Sequence, residues 1–353
     1  MSADRSAAPP LVQPDVLGQP WVQESLPVRP NRLAPGADRA VLVYQDQAAT
    51  RDGGAPLPRA VLYLPGFVDY FFQSEHAQAW IDSGIEFYGL DQRGQGRAAA
   101  PGHLEEVYDL GLRNAEIARV VRLLRARGHR HVTLLGHSTG GLQAVIYAAM
   151  ASPSSRLAGQ TWQGEDHFIS TAPLAPRVDA VVLNSPWLEL NRREPLRSLA
   201  TLLAEAAAAV DPALTLSQLG ADYPLSLHTT GAGEFDFDPA WKVLTDFPVR
   251  AGFLRSVRRL QAEIPRGLGI DVPILMCTSD AAGDPVHPTP EDLERRDAVL
   301  NPTDMHRLAP RLGQNVEVQV FPGGRHDLAL SSAPVREAYT QAAIAWVRGL
   351  PGD

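Results

Sequence analysis

The feature that most constrains the fold is the stretch HVTLLGHSTGGLQAVIYAAM, residues 131–150. A run of apolar and β-branched residues leads into the sequence GHSTG at 136–140, and an apolar helical pattern follows at once. A strand that passes directly into a helix must turn sharply, and glycines on both sides of one serine let the two elements approach. The serine then lies in strained backbone at the carboxyl edge of a sheet. We interpret Ser138 as a nucleophile; the alternative is a tight turn with an idle serine.

Short apolar runs alternate with helical patterns along most of the chain. The runs are typical of strands buried on both faces, and they lie at 40–44, 60–64, 85–90, 131–135, 178–184, 272–278 and 316–321. Helical patterns fill several of the intervals, as at 114–127, where apolar residues recur on one face. This alternation predicts an α/β fold with a mostly parallel central sheet flanked by helices.

Two segments interrupt the alternation. Residues 1–36 are rich in Pro, Ser and Ala and predict an extended, partly disordered lead. Residues 186–266 hold no convincing strand, and they contain an Ala- and Leu-rich helix, a Gly-rich acidic loop and a basic helix. They predict a helical insertion, so that residues 37–185 and 267–353 together form the sheet domain.

Composition excludes several classes of function. The 353 residues carry a formal net charge of −8, whereas a nucleic-acid partner requires a basic face. No apolar run approaches the roughly 18 residues that span a bilayer. The N-terminal residues lack an apolar signal segment, and Cys277 is the only cysteine, which excludes an intrachain disulfide. We therefore expect a cytoplasmic location, no transmembrane segment and no nucleic-acid partner.

Several motifs together resemble those of the α/β-hydrolase superfamily. They are AVLYLPGFVDYFF, FYGLDQRGQGR, LLGHSTGG, NSPW, RRDAVLNP and FPGGRHDLALS, spread over about residues 40–350. The resemblance is nearest to the branch of monoacylglycerol lipases, lysophospholipases and serine-aminopeptidase-like hydrolases. It implies the α/β-hydrolase fold with a helical cap at 186–266, and a triad in the chain order serine, acid, histidine. It implies no cofactor, and no cluster of ligating residues has the spacing of a metal site.

The candidate base is His326, in PGGRHDLALS. It follows the last predicted strand and precedes the final helix, where the family's histidine loop lies; the alternative is a loop histidine that bonds backbone carbonyls. Five other histidines lie near candidate catalytic segments: His129, His131, His137, His287 and His306. His137 adjoins Ser138, but we expect its side chain to point away from the pocket.

The triad acid departs from the family pattern. In the family, the acid follows the strand equivalent to 272–278 almost directly, in a motif like G-x-x-D-x-V-x-P. In this chain the similar motif DAVLNP begins only at Asp297. Asp297 precedes His326 by 326 − 297 = 29 residues, which leaves room for one helix and one strand. We predict that Asp297 is the acid and that residues 281–296 are an insertion. Asp284 and Asp280 remain the alternatives.

Two backbone amides are the candidate oxyanion donors. Thr139 follows the nucleophile at the start of a helix, whose positive end favours an anion. The second donor should come from the loop after the strand at 60–64. The family commonly has His-Gly in this loop, and this chain has Pro-Gly before Phe67. Because the donor is a backbone N–H, loss of the histidine need not abolish it, and Phe67 is the candidate.

Four apolar residues are predicted to form a substrate pocket. Tyr70 and Phe71 follow the candidate oxyanion loop, and Leu199 and Leu203 lie on the Leu-rich helix of the cap. The alternatives are an ordinary core role for the aromatic residues and packing of the cap onto the body for the leucines.

Charged residues of the cap carry two open questions. One helix bears a basic stripe: Arg255, Arg258 and Arg259. The stripe either holds an anionic head group or forms a solvated face that pairs with acids of the preceding loop. Those acids are Glu234, Asp236 and Asp238. They would also suit a peptidase that binds the amine of its substrate.

These residues predict a serine hydrolase that cleaves carboxylic esters of small molecules or acyl lipids through an acyl-enzyme. A peptidase of the proline iminopeptidase-like type is one alternative, since its triad is the same. A non-catalytic binding protein on this scaffold is another, although such a protein would usually have lost the serine or the histidine. The sequence leaves the acyl-chain length, the head group and the oligomeric state open.

Overall fold

The computed structural model describes residues 12–46, 56–162, 168–170, 175–191 and 195–351. The described strands are β1 (Val12–Pro14), β2 (Trp21–Pro27), β3 (Arg39–Gln45), β4 (Arg59–Leu64), β5 (Glu86–Asp91), β6 (His131–His137), β7 (Gln160–Trp162), β8 (Phe168–Ser170), β9 (Ala180–Asn184), β10 (Thr215–Leu219), β11 (Phe247–Arg250), β12 (Ile274–Ser279) and β13 (Val316–Phe321). The described α-helices are α1 (Ser74–Asp82), α2 (Asn114–Ala126), α3 (Thr139–Ala151), α4 (Leu196–Val210), α5 (Asp222–Leu227), α6 (Ala251–Gln261), α7 (Pro290–Arg295), α8 (Pro302–Leu308) and α9 (Ala333–Gly349).

A sheet of nine described strands forms the centre of the molecule. Its order is β1-β2-β3-β5-β4-β6-β9-β12-β13. The first three strands and β5 pair in antiparallel fashion. The strands from β5 to β13 pair in parallel. The mostly parallel α/β architecture predicted from the alternation is confirmed, and each of the seven apolar runs contains a strand.

Both faces of the sheet are covered by helices. One large apolar cluster joins the sheet to α2 and α3, and a second joins the opposite face to α1 and α9. Every residue of α3 is buried, because this helix lies between the sheet and the elements that cover it. In the described chain, no helix combines the length and the apolar character needed to cross a bilayer.

The prediction of an extended lead is wrong for the described residues before position 37. Here β2 pairs along its whole length with β3 and extends the sheet. The apolar pattern of β2 is hidden because Glu24 is buried within it, where it pairs with Arg127 and accepts a hydrogen bond from the Tyr44 hydroxyl over 3.2 Å. A buried carboxylate with partners is compatible with a strand but breaks its alternation. Residues 1–11 lie outside the described residues.

Residues 186–266 lie between β9 and β12 and are called the cap here; 192–194 are outside the described residues. They contain the two predicted helices, α4 and α6, and a short helix, α5, that the sequence did not indicate. The expectation that they hold no strand is wrong, because β10 and β11 form an antiparallel pair. The strand β11 contains Pro248, which lacks an N–H and is tolerated in a strand of a two-stranded pair.

Two arginines of the basic stripe of α6 pair with acids other than those expected from the sequence. Arg258 pairs with Glu189, and Arg259 pairs with Glu205 on α4 over 2.8 Å. Arg258 also donates to the Thr201 hydroxyl of α4 over 2.9 Å. The partners are close in space rather than in sequence, since α4 packs along α6. These two arginines therefore join α6 to α4 and to the cap segment that precedes α4.

Candidate active site

Ser138 occupies the junction between β6 and α3. Its backbone has φ 52° and ψ −115°, a region that L-residues other than glycine rarely adopt. Strain of this kind persists only where the surroundings fix it, and it occurs mainly at functional sites. Ser138 is almost fully buried, but it lines a cavity of about 460 Å³ that is open to solvent. The strained turn expected from the sequence is present.

The glycines around Ser138 are required by close packing. A Cβ on Gly136 would lie 2.4 Å from the carbonyl oxygen of Gly140. A Cβ on Gly140 would lie 2.1 Å from the carbonyl oxygen of Leu64. Both distances are far below van der Waals contact, and the neighbouring atoms belong to backbone that cannot move aside. The glycines therefore let β6, α3 and the loop after β4 meet at the serine.

His326 and Asp297 form a buried pair beside this junction. Nδ1 of His326 lies 3.0 Å from Oδ2 of Asp297. The other carboxylate oxygen of Asp297 accepts hydrogen bonds from the amides of Val299 at 3.0 Å and Leu300 at 2.7 Å. Asp297 is fully buried, and its orientation is fixed by these amides. The pair holds the imidazole with Nδ1 toward the acid, which leaves Nε2 as the ring nitrogen available to a substrate-side group.

The two alternative acids are directed elsewhere. Asp280 accepts a hydrogen bond from the amide of Gly323 over 2.9 Å. Asp284 is exposed and accepts from the amides of Val286 and His287, and these hydrogen bonds lower the pKa of its carboxyl. The structure thus brings Asp297, and neither alternative, to His326. The catalytic role of Asp297 stays a prediction.

The two candidate oxyanion amides lie next to Ser138. A Cβ on Gly66 would come within 3.3 Å of the Ser138 Cβ, so the loop after β4 contacts the serine directly. The carbonyl of Gly66 accepts a hydrogen bond from the buried Gln95 side chain over 2.7 Å. In a trans peptide the N–H points opposite to the C=O, so Gln95 turns the Phe67 amide away from itself. Among the described residues, neither the Phe67 nor the Thr139 amide has a hydrogen-bond acceptor.

The predicted pocket residues divide into two groups. Leu203 lines the cavity, together with the side chain of Phe67. Leu199 does not, because the side of α4 that faces the cavity carries Ala200 and Leu203, three residues apart, and Leu199 is turned to one side. The prediction for Leu199 is therefore wrong in this structure.

The predictions for Tyr70 and Phe71 are also wrong, because neither lines the cavity. Phe71 is fully buried in the core against Trp21, with ring centroids 5.4 Å apart. It fills the space left by Gly89, where a Cβ would lie 2.3 Å from its ring. The Tyr70 hydroxyl accepts a hydrogen bond from the amide of Asp238 in the cap over 2.8 Å. The chain thus leaves the pocket after Asp69 and enters the core.

His137 lies on the cavity wall, contrary to the expectation that its side chain points away. Its ring lies 4.8 Å from that of His326, centroid to centroid. Its Nδ1 is 3.1 Å from the carbonyl oxygen of Asn184. Burial lowers the pKa of His137, which keeps the ring neutral. Because the His137 ring is neutral, it does not repel the positive charge that His326 would carry after it takes a proton.

A buried ion pair lies near His137. Lys242, the only lysine of the chain, is 7% exposed and comes from the cap. Its Nζ is 2.9 Å from Oδ1 of Asp69, which is 2% exposed and lies just after the candidate oxyanion loop. Both residues line the cavity. Within the described chain, one buried group approaches a metal-ligand set: Asp69, His137 and Asp327. The ammonium of Lys242 already supplies a positive charge to it.

Known proteins match this chain in its fold and in the segment that contains the strand–helix junction at Ser138. The family described as serine aminopeptidase, S33, matches residues 56–160, which include the oxyanion loop and Ser138. Epoxide hydrolase 4 of Mus musculus is 32% identical over 100 residues. This match covers 28% of the present chain and 26% of the mouse protein, so it spans about a quarter of that relative.

Solved structures match over much more of the chain. A monoacylglycerol lipase from Paleococcus ferrophilus superposes with a TM-score of 0.56 at 19% identity, over 83% of this chain and 95% of that one. A soluble variant of monoglyceride lipase from Saccharomyces cerevisiae, solved with a substrate analog, has a TM-score of 0.59 at 15% identity and covers 98% and 97%. Identities this low show the fold alone. The fold is therefore that of the α/β-hydrolases, and the chain resembles the monoacylglycerol lipase and serine aminopeptidase-like branch.

Proposed function

We propose that this protein is a serine hydrolase of carboxylic esters, with Ser138, His326 and Asp297 as its triad. One observation carries the proposal: the strained Ser138 and His326, whose Nδ1 faces the buried Asp297, line the same cavity. The combination of a nucleophile, a base and a group that orients the base is the arrangement that acyl transfer requires. The retention of all three also argues against a non-catalytic binding protein.

The proposed reaction has two halves. Nε2 of His326 takes the proton of the Ser138 hydroxyl as its oxygen attacks the ester carbonyl. Asp297 stabilises the imidazolium and keeps the ring in the required tautomer. The imidazolium then gives its proton to the leaving alcohol, and the acyl group stays on Ser138. Water, deprotonated by His326, attacks the acyl-enzyme and releases the acid.

Backbone amides stabilise the tetrahedral intermediates in this proposal. The Phe67 and Thr139 amides have open donors beside Ser138, and Thr139 is also the first residue of α3. The positive end of that helix favours an oxygen that becomes negative. Gln95 contributes indirectly, since it fixes the peptide plane that presents the Phe67 amide.

The walls of the cavity favour an ester with an apolar acyl group. Its volume of about 460 Å³ lies in the range of small-ligand sites. Much of the wall is aliphatic, with contributions from Leu203, Leu216, Val249, Leu254, Val286 and Leu293. The solved monoglyceride lipase with a substrate analog supports a small-molecule ester as substrate. Acyl lipids are included in the proposed class, and a cytoplasmic location stays a prediction.

The peptidase alternative receives no support from the acids that the sequence suggested for amine binding. Those acids are Glu234, Asp236 and Asp238, and none of the three is among the described residues that line the cavity. Glu234 pairs instead with Arg336 on α9.

Fluorophosphonate labelling tests the nucleophile, and a substrate panel tests the reaction. We expect a single adduct on Ser138, no adduct in Ser138→Ala, and turnover of p-nitrophenyl esters that exceeds turnover of aminoacyl anilides. Ser138→Ala keeps the backbone and removes only the hydroxyl, so its melting temperature serves as the control for folding. An adduct on another residue of an active preparation would refute the triad. Faster cleavage of anilides than of esters would favour the peptidase.

A further inference from the structure

The histidine loop, residues 325–331, is held by the sheet domain on one side. The side-chain amide of Asn184, at the end of β9, donates to Oδ1 of Asp327 over 2.7 Å. Its carbonyl oxygen accepts from the amide of Leu328 over 3.1 Å. On the side of the sheet domain, the loop is therefore anchored through Asp327 and Leu328, which follow His326.

The cap holds the same loop from the other side. The hydroxyl of Tyr223, on α5, accepts a hydrogen bond from the amide of Asp327 over 2.8 Å. That amide belongs to the peptide unit that follows His326, so the bond fixes the plane attached directly to the Cα of the histidine. The Tyr223 ring also packs edge-on against the His326 ring, with centroids 5.8 Å apart and an interplanar angle of 73°.

The helix α5 also contacts the segment that leads to the acid. It packs against α7, which lies in the loop before Asp297. One short helix of the cap therefore contacts the structures that carry both members of the His326–Asp297 pair. Burial raises the pKa of Tyr223 well above its usual value, so the phenol remains neutral and keeps its role as an acceptor.

We propose that Tyr223 is a positioning residue for His326. Asp297 fixes the tilt of the imidazole through Nδ1, and Tyr223 fixes the backbone from which the ring projects. The cap then acts on the chemical step as well as covering the pocket. Small displacements of a catalytic group lower turnover, because the reacting atoms leave the near-attack geometry. This inference rests on the proposed triad, and its effect should appear in kcat rather than in KM.

The experiment compares Tyr223→Phe with Tyr70→Phe. Each variant removes one hydroxyl that accepts a hydrogen bond from a backbone amide across the boundary between the cap and the sheet domain. The N···O distance is 2.8 Å in both cases. Only the Tyr223 bond reaches the histidine loop. With p-nitrophenyl acetate, we expect kcat of Tyr223→Phe to fall about three- to tenfold, the scale of one hydrogen bond. KM should change less than about twofold, and Tyr70→Phe should keep kcat within about twofold of wild type.

Two further measurements separate positioning from loss of folding. Rates are expressed per active site titrated with fluorophosphonate, so that an unfolded fraction does not contribute. The proton on Nδ1 of His326, hydrogen-bonded to Asp297, should give a downfield proton NMR resonance, assigned by its absence in Asp297→Asn. We expect this resonance to shift or broaden in Tyr223→Phe and to stay unchanged in Tyr70→Phe.

Three outcomes would overturn the inference: an unchanged kcat in Tyr223→Phe, an equal loss in both variants, or an unchanged resonance in Tyr223→Phe. A failure of the proposed function is distinguishable from these outcomes. It would appear in the wild type, as absence of esterase activity and of labelling on Ser138.

Discussion

The amide of Asp297 donates a hydrogen bond to the carbonyl of Ala281 over 2.9 Å, although 297 − 281 = 16 positions separate the two residues. Gly283 donates to the carbonyl of Asp297 over 2.8 Å, so the two chain segments form a short parallel bridge. The loop between them closes at its base. Asp297 therefore lies close to the end of β12, where an acid that follows the strand directly would lie. Two of the additional residues, Val286 and Leu293, line the cavity.

Replacement of Asp297 tests this geometry. Asp297→Asn preserves the shape of the side chain but favours the wrong imidazole tautomer. We expect kcat for esters to fall on the order of 10⁴-fold, the scale of the same change in a Ser-His-Asp protease. Asp284→Asn is the matched control, since Asp284 is exposed, and it should lower kcat on the order of tenfold or less. Comparable losses in both variants, from steady-state kinetics, would contradict the assignment of the acid.

The buried pair of Lys242 and Asp69 should contribute strongly to stability only as a pair. Lys242→Met leaves the carboxylate of Asp69 buried without its partner, and we expect the free energy of unfolding to fall by about 3 kcal/mol. The double variant Lys242→Met/Asp69→Asn should recover part of that loss, because the remaining amide carries no charge. Urea unfolding of both single variants and the double variant gives the coupling free energy between the two side chains. Additive losses would show that the two side chains do not depend on each other.

Leu203 and Leu199 provide a test of the pocket wall. They are similarly exposed, at 55% and 51%, and lie on the same helix, but only Leu203 lines the cavity. Leu203→Ser should lower kcat/KM for long-chain p-nitrophenyl esters by about tenfold or less relative to the acetate, the scale of one or two buried methylene groups. Leu199→Ser should leave that ratio unchanged. A larger change in the ratio for Leu199→Ser would place the acyl chain along a different side of α4.

His76 should make the stability of the protein depend on pH. Its ring is buried, and burial lowers its pKa to about 4, against a usual value near 6.5. The Trp80 indole donates to Nε2 over 3.1 Å, and Nδ1 lies 2.8 Å from the Thr340 hydroxyl, an arrangement that suits a neutral ring. The unfolded chain binds this proton more readily, so the contribution is present above pH 6.5 and is lost as the pH falls toward 4.

We expect the free energy of unfolding to fall by about 2 kcal/mol between pH 7 and pH 5 because of this residue. His137 and His129 also have pKa values that burial lowers, so the wild-type slope alone does not isolate His76. Denaturant unfolding of His76→Gln at both pH values provides the comparison. A variant that loses as much stability as the wild type would show that His76 is not the source.

The sequence was sufficient for the fold because its signals are local. Each signal is contained in a stretch of about ten residues. This holds for the apolar runs, for the strand–helix junction around Ser138 and for the histidine loop. The position of Asp297 followed from its spacing to His326 and from the resemblance of DAVLNP to the family phrase. The catalytic roles remain predictions, but the residues meet in space where the motifs indicated.

The features that sequence reasoning missed depend on contacts between distant segments. Gln95 and Tyr223 act through single hydrogen bonds to backbone groups far away in sequence, at Gly66 and Asp327. Such bonds leave no periodic pattern. The strand that contains Glu24 was missed for a similar reason, since only the partners of that carboxylate in the folded chain explain its burial.

The burial of Lys242 also determines how the protein responds to reagents that attack amines. The chain has no other lysine, and this one is 7% exposed and paired with Asp69. Succinimidyl esters and amine-coupling surfaces will therefore find no accessible lysine side chain on the folded molecule.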